Sequence, residues 1–112
     1  AIKKMSNNGM IFGSHTVNHP VMSKLSFIQQ KYEIDQSFSF IDSILKQDLK
    51  TYCHPYGGFH SFDKRTVKIL KDHNVDFSFN VEPRNITKID LKNSTQFLPR
   101  FDCNQFEYGQ VN

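Results

Sequence analysis

The sequence predicts an α/β fold, because strand-like and helix-like segments alternate along its 112 residues. Short apolar runs bounded by Gly, Asn or Pro indicate strands, and longer segments with apolar residues every three or four positions indicate helices. The order strand, helix, strand, helix, strand implies parallel pairing through helical crossovers. The length suits a single domain, residues 1–112, with one hydrophobic core.

The first predicted elements are the end of a helix and a buried strand. Residues 1–8 resemble the last turns of a helix, which Gly9 closes in left-handed geometry. Residues 10–14 contain the apolar run Met10-Ile11-Phe12 and are predicted to form a short buried strand. The sequence starts in mid-helix and without an initiator Met, as we expect of a fragment of a longer protein.

A long amphipathic helix is predicted from Ser26 to about Gln47. It begins with a capping-box pattern, a hydroxyl at the N-cap and Gln29 three residues later. Apolar residues then recur at steps of four, three and four, forming one stripe: Ile34, Phe38, Ile41 and Leu45. The charged residues of this segment, including Glu33, fall largely off the stripe. We therefore expect this helix to be a scaffold rather than a functional site.

The second half of the chain is predicted to continue the alternation. Its elements are, in order, a strand at 49–54, a helix at 63–72, a strand at 76–81, a polar loop at 83–95 and a strand at 97–101. The helix is predicted to turn Val67 and Leu70 inward, and Asn74 is expected as its left-handed C′ residue. Ser61 and Asp63 are both candidates to cap its N-terminus.

Composition excludes several classes of function. The formal net charge is +3, and the Lys and Arg residues are scattered singly, so no nucleic-acid footprint is present. No apolar run is long enough to cross a membrane. The two cysteines, Cys53 and Cys103, make neither a zinc ribbon nor a disulfide framework. Free thiols are the expected state, and the sequence leaves a bridge between them open.

His15 and His19 follow the first predicted strand and give the strongest chemical signal. Active sites of α/β proteins usually lie where strands end. Two imidazoles at this spacing can reach one metal ion if the backbone turns between them, and zinc accepts neutral imidazole nitrogen. Pro20 disfavours helical geometry at His19, so we expect a single turn. The spacing alone leaves open a pair with one packed or capping histidine and one exposed histidine.

Two further segments have chemical potential. Pro55-Tyr56-Gly57-Gly58 predicts a tight loop after a strand, which can turn a backbone N–H toward an oxyanion, although a simple turn is the alternative. Arg100 lies at the end of a predicted strand and can orient a carboxylate, although a surface ion pair is the alternative. The remaining histidines are expected to be packed, capping or solvated: His54, His60 and His73.

Together these segments resemble the polysaccharide deacetylase family, also called the NodB-homology domain. The family's metal motif, His-(Ser/Thr)-x-x-His, is matched by His15-Thr16-Val17-Asn18-His19. Pro55-Tyr56-Gly57 matches its groove-wall motif, but Cys53 stands where Arg is usual. A branch of the family lacks that Arg, and Leu98-Pro99-Arg100 also fits this branch. The resemblance covers about residues 1–104, with order and spacing in agreement.

The resemblance implies a partial, irregular (β/α) barrel. It also implies a hydrolase that uses a divalent metal, commonly zinc, to remove N-acetyl groups from an amino-sugar polysaccharide or oligosaccharide. His15 and His19 would be metal ligands, and Arg100 would hold the catalytic base. Pro55, Tyr56 and Gly57 would line the substrate groove, and the Tyr56 N–H would bind the oxyanion. A cell-envelope or extracellular location is favoured.

Two motifs of the family have no counterpart in this sequence. The Asp-Asp pair supplies the base and the third metal ligand, and a later Leu-x-His supplies the general acid. We therefore expect a fragment that is nearly inactive alone, with an exposed barrel edge that favours self-association. Two alternatives stay open: a catalytically silent carbohydrate-binding relative and a structural α/β domain without metal. The sequence names neither the sugar polymer nor the metal.

Overall fold

The computed structural model describes residues 1–101, in which a narrow parallel sheet is flanked by four α-helices. Strand β1 (Thr51–Cys53) pairs in parallel with β2 (Phe77–Phe79), so that Tyr52 lies opposite Ser78. Isolated parallel bridges extend the sheet on both sides, since Ser14 pairs with Tyr52 and Leu98 pairs with Phe79. Four extended segments thus lie side by side in chain order, which confirms the predicted alternation of strand and helix.

Most of the helices form where the sequence predicts them. Helix α1 is Ile2–Asn7, α2 is Phe27–Ile44 and α3 is Lys64–Asp72. Ser26 and Gln29 form the predicted capping box, and Asp63 caps α3 through a box with Thr66. Helix α2 ends three residues before the predicted Gln47. The core joins α2 and α3 to the sheet and contains Met22, Ile34, Phe38, Tyr52, Ile69, Leu70 and Val75.

The two faces of the sheet have opposite environments. Since side chains alternate along a strand, the register places Ser14, Tyr52 and Ser78 on one face. This covered face packs toward α2 and α3, and these three side chains are at most 2% exposed. The other face borders a cavity of about 410 Å³ whose lining includes His15, Cys53 and Arg100. We call this second surface the open face.

The predicted buried strand at residues 10–14 is wrong. Met10 is 57% exposed and Ile11 is 62% exposed, and only Ser14 pairs with the sheet. The backbone N–H and C=O of Phe12 instead bond to the side-chain amide of Gln47, at 2.9 Å each. Within residues 1–101 no strand pairs with the outer side of this segment. An apolar run is buried only when a neighbour covers it, and no strand among the described residues covers Met10 and Ile11.

The predicted loop at 83–95 and the predicted strand at 97–101 also need correction. Residues Lys88–Asn93 form helix α4, which begins with a capping box between Thr87 and Asp90. Arg84 holds the same cap by donating to the Asp90 carboxylate at 2.7 and 2.8 Å. At 97–101 the pairing is limited to the single bridge at Leu98. None of the helices in residues 1–101 has the length and apolar character of a membrane span.

Candidate active site on the open face

His15 and His19 lie together on one exposed turn. Their ring centroids are 4.6 Å apart, and both side chains are solvent-accessible. The turn is built from left-handed residues rather than from helix, since φ is +68° at Thr16 and +54° at His19. The Thr16 hydroxyl accepts a hydrogen bond from the His19 N–H at 3.1 Å. The sequence prediction of a single turn at this motif is therefore confirmed.

His15 has one of its ring nitrogens fixed by the sheet. Nδ1 lies 2.7 Å from the carbonyl oxygen of Cys53, and because a carbonyl can only accept, Nδ1 is the donor. In the neutral ring this leaves Nε2 unprotonated. A histidine that donates through one nitrogen to a backbone carbonyl is oriented for metal binding through the other. The contact thus sets both the tautomer and the direction of the ring.

The turn is fastened to helix α2 at two points. The Glu33 carboxylate accepts hydrogen bonds from the backbone N–H groups of Val17 and Asn18 and from the Asn18 side chain, at 3.2, 2.8 and 2.7 Å. One helical turn later, the Ser37 hydroxyl lies 2.5 Å from that of Ser14. Glu33 and Ser37 are both buried. These contacts fix the chain before His15 and before His19.

The Pro55-Tyr56-Gly57 loop brings an aromatic ring to the histidines. Tyr56 is 57% exposed, and its ring centroid lies 4.6 Å from that of His19. Both Tyr56 and Gly57 are left-handed, with φ of +66° and +75°. A Cβ on Gly57 would lie 2.4 Å from the Val81 side chain, so the loop needs glycine for space as well as conformation. No acceptor within residues 1–101 bonds to the Tyr56 N–H.

Arg100 and Cys53 line the cavity beside His15. The Arg100 Nε is buried and has no hydrogen-bond partner within residues 1–101. A carboxylate or another oxyanion in the cavity would satisfy that donor. Burial raises the pKa of the Cys53 thiol, and the nearby Arg100 lowers it by less. The net rise in pKa keeps the thiol neutral. Cys53 forms no disulfide with a described residue, and Cys103 lies outside the described part of the chain.

Of the other histidines, His54 and His73 serve the structure and His60 is exposed. His54 is fully buried, stacks on Phe62 with ring centroids 3.7 Å apart, and donates through Nε2 to the Gln96 carbonyl at 2.7 Å. Burial lowers the pKa of His54 to about 4, so it is neutral at physiological pH. His73 bonds to Asp35 and joins α3 to α2. His60 is exposed.

The donor set tests whether a divalent metal fits this site. His15 and His19 supply two adjacent imidazoles, which suit zinc. No group of three or more His, Cys, Asp and Glu side chains within residues 1–101 is placed to hold a metal. The described residues therefore fit two positions of a hydrolytic zinc site, which commonly has three protein ligands and an open position.

Glu33 is the residue that sequence reasoning missed. The charged residues of the predicted helix fall largely off its apolar stripe, yet Glu33 is only 5% exposed. A signal was available, because Gln30, Glu33 and Ser37 are polar residues at helical steps of three and four, and all three are buried. Of these three, Glu33 and Ser37 contact the histidine turn, whereas Gln30 bonds to Thr66 on α3.

Comparisons with known proteins identify the family and the fold of this chain. The family model for polysaccharide deacetylase matches residues 1–86. A solved structure, the Streptococcus pyogenes deacetylase PplD in complex with acetate, is similar with a TM-score of 0.78 and 25% sequence identity. The match covers 89% of this chain and 42% of that chain, so this chain spans less than half of that protein's length. No curated protein sequence matches this chain.

Proposed function

Because the chain belongs to the polysaccharide deacetylase family, we propose that it supplies the histidine part of a metal-dependent site that removes N-acetyl groups from an amino-sugar polymer. The observation that carries the proposal is the meeting of His15, His19, Tyr56 and Arg100 around one exposed turn and its adjoining cavity. These residues come from three separate segments of the chain. Their convergence is far more specific than the spacing of any one motif.

Each residue has a defined role in this proposal. His15 and His19 would hold the metal, a divalent ion such as zinc, which when bound acts as a Lewis acid toward the acetyl carbonyl. The Cys53 carbonyl keeps the His15 ring oriented. The Tyr56 N–H, which has no acceptor among residues 1–101, would donate to the developing oxyanion. Pro55, Tyr56 and Gly57 would form a wall of the sugar-binding groove.

Arg100 would fix the catalytic base. Its buried Nε has no partner within residues 1–101, and a guanidinium binds a carboxylate through two parallel hydrogen bonds. We expect an aspartate pair to provide both that carboxylate and the third metal ligand, as the family's first motif does. Such a pair would enter the cavity next to His15.

We also propose that the four parallel segments belong to an irregular (β/α) barrel. Their adjacency in chain order and the similarity to a longer deacetylase chain support this. The outer edge of residues 10–14 would then pair with a further strand, either from the same domain or from a second copy of this chain. Because amino-sugar polymers of this kind are the proposed substrate, we propose that the protein is located in the cell envelope or outside the cell.

Metal binding by the 112-residue chain tests the proposal directly. Isothermal titration with Zn²⁺ is expected to show one site, which His15→Ala and His19→Ala each remove. His60→Ala is the matched control, because His60 is an exposed histidine outside the open face. Unchanged zinc binding in both His15→Ala and His19→Ala would contradict the proposal.

Turnover of soluble N-acetylglucosamine oligomers tests the chemistry. We expect the isolated chain to bind zinc but to release acetate far more slowly than a deacetylase that contains a base and a general acid. A carbohydrate-binding relative without catalysis is the second candidate, favoured by Cys53 in place of the usual Arg and by the two-histidine donor set. Saturable binding of the oligomer in the presence of a chelator would support that candidate instead.

A further inference from the structure

Helix α2 carries a buried carboxylate that the hydrophobic core does not need. Glu33 is 5% exposed and adjoins Ile34, a core residue that is fully buried. Burying a carboxylate costs free energy unless hydrogen bonds compensate for lost hydration. Within residues 1–101, all the donors that compensate Glu33 belong to Val17 and Asn18. These hydrogen bonds all go to one turn, which indicates that Glu33 holds the turn rather than packs the core.

The turn that Glu33 holds is strained, and a hydrogen bond from the His19 N–H to the Thr16 hydroxyl supports it from within. Thr16 and His19 both have left-handed backbone conformations, which are unfavourable for residues with a Cβ. A turn of this kind persists only when surrounding contacts fix it. The Glu33 bonds fall between these two residues, at the N–H groups of Val17 and Asn18. Without them, the positions of His15 and His19 relative to each other would spread over several conformations.

The charge of Glu33 points in the same direction. Its three donors are neutral, and no Lys, Arg or His among residues 1–101 forms an ion pair with it. A buried negative charge without a counterion, bonded to the residues between His15 and His19, favours a cation at that turn. Glu33 thus has two separable effects. Its hydrogen bonds fix the turn, and its charge favours a cation bound there.

We propose that Glu33 is a positioning residue for the metal site, which fixes the His15–His19 turn so that both rings face one ion. The inference rests on the proposed function, because it takes these histidines to be metal ligands. Ser37 supports the same task at the other end of the turn through its contact with Ser14. Glu33 itself does not touch the metal, since its carboxylate oxygens are engaged by Val17 and Asn18.

Zinc affinity of the 112-residue chain separates this role from simple stabilisation. Removal of an outer-shell partner typically weakens metal binding by 10- to 100-fold, and we expect about tenfold or more for Glu33→Ala. Glu33→Gln keeps an acceptor for the backbone N–H groups but loses the charge, so we expect an intermediate loss. Gln30→Ala is the matched control, because Gln30 is a fully buried polar residue on α2 that bonds to Thr66.

Gln30→Ala is expected to lower stability while leaving zinc affinity within about twofold. Equal weakening by Gln30→Ala and Glu33→Ala would overturn the inference, because general loosening of α2 would then explain both. Unchanged affinity in Glu33→Ala would overturn it as well. The Glu33→Gln variant keeps the test decisive if Glu33→Ala fails to fold.

A metal-free measurement distinguishes failure of this inference from failure of the proposed function. In NMR spectra of the apo chain, we expect the Val17 and Asn18 amides to be protected from exchange and the His19 ring to show contacts with Tyr56. Glu33→Ala should remove both signals, and Gln30→Ala should keep them. If the wild-type chain binds no zinc but these signals behave as expected, the proposed function fails while the positioning of the turn stands. If Glu33→Ala keeps both signals, the positioning inference is overturned.

Discussion

The covered and open faces of one narrow sheet show how neighbouring residues acquire different functions. His54 comes directly after β1 on the covered face, and His15 comes directly after Ser14 on the open face. His54 lies beneath Phe62 and is bonded to Gln96, whereas His15 stays solvent-accessible beside a cavity. Since strand side chains alternate, a shift of one residue in register decides between a buried histidine and a solvent-accessible one.

Both faces of the sheet carry buried polar groups without partners. On the covered face, Ser78 donates to Gln96 at 2.6 Å, whereas the Tyr52 hydroxyl and His54 Nδ1 have no partner among residues 1–101. On the open face, the Arg100 Nε likewise has no partner among those residues. Arg100 differs because it is a cation that lines the cavity, where an oxyanion would satisfy its Nε.

The largest expected effect is the difference in unfolding free energy lost when a histidine is replaced on the covered face and when one is replaced on the open face. His54→Ala removes a buried ring, its stacking on Phe62 and its bond to Gln96, and should lower the free energy of unfolding by about 4 kcal/mol. His15→Ala alters an exposed side chain and should change it by about 0.5 kcal/mol. Urea denaturation followed by circular dichroism measures both. Equal losses in the two variants would break the comparison between the faces.

Low pH should lower the free energy of unfolding through His54 on the covered face. The folded pKa of His54 is about 4, below the ordinary value of 6.5, so the unfolded chain binds a proton that the folded chain excludes. The stability that His54 contributes is full above pH 6.5 and is lost as the pH falls toward 4, by on the order of 3 kcal/mol in all. Unfolding free energies measured from pH 7 to pH 4 should show this loss.

His54→Phe serves as the control for the pH experiment. Phenylalanine keeps the aromatic stack on Phe62 but cannot titrate, so the part of the pH dependence due to His54 should disappear. If the wild-type chain and His54→Phe lose the same stability between pH 6.5 and pH 4, the titration of the covered face lies elsewhere.

A single methyl group added in the Pro55-Tyr56-Gly57 loop should lower the stability of the fold. Gly57→Ala adds a Cβ in a left-handed conformation and against Val81, which should cost about 2 kcal/mol. It should also move Tyr56 away from His19, as seen by loss of the NMR contact between their rings. Gly9→Ala is the matched control, because Gly9 has φ of +94° but nothing within 4 Å of the added Cβ. It should cost less, about 1 kcal/mol.

The smallest effect tests a region remote from both faces. Thr87→Ala removes the N-cap of α4 and should lower stability by about 1 kcal/mol without changing zinc affinity. Thr87→Ser keeps the capping hydroxyl and should restore most of the loss. A marked fall in zinc affinity in Thr87→Ala would show that the open face depends on the whole fold rather than on α2 and the loops beside it.

Much of the fold was predictable because its signals are local. The capping box at Ser26, the left-handed residues Gly9 and Asn74, and the apolar stripe of α2 are all readable from adjacent residues. The loop prediction at 83–95 was wrong although a local signal existed, the Thr87 to Asp90 spacing of a capping box. The strand prediction at 10–14 was wrong for another reason, since its burial depends on a neighbour along the sheet.

The site was predictable in part for the same reason. Spacing identified His15 and His19, and the glycine-containing loop identified Tyr56. Their roles as ligand, groove wall and oxyanion donor stay predictions that the experiments above address. Glu33 was not identified, because its partners lie 15 and 16 residues away in the chain and its charge suggested an exposed position.

The sequence by itself determined which residues can do chemistry and most of the order of strands and helices, since side-chain type and spacing are local properties. Only the tertiary structure decided that His15 is on the open face and His54 on the covered one, and that the predicted scaffold helix also holds the turn with His15 and His19. These outcomes depend on strand register and on contacts between distant segments. Both are fixed by packing, which no window of neighbouring residues contains.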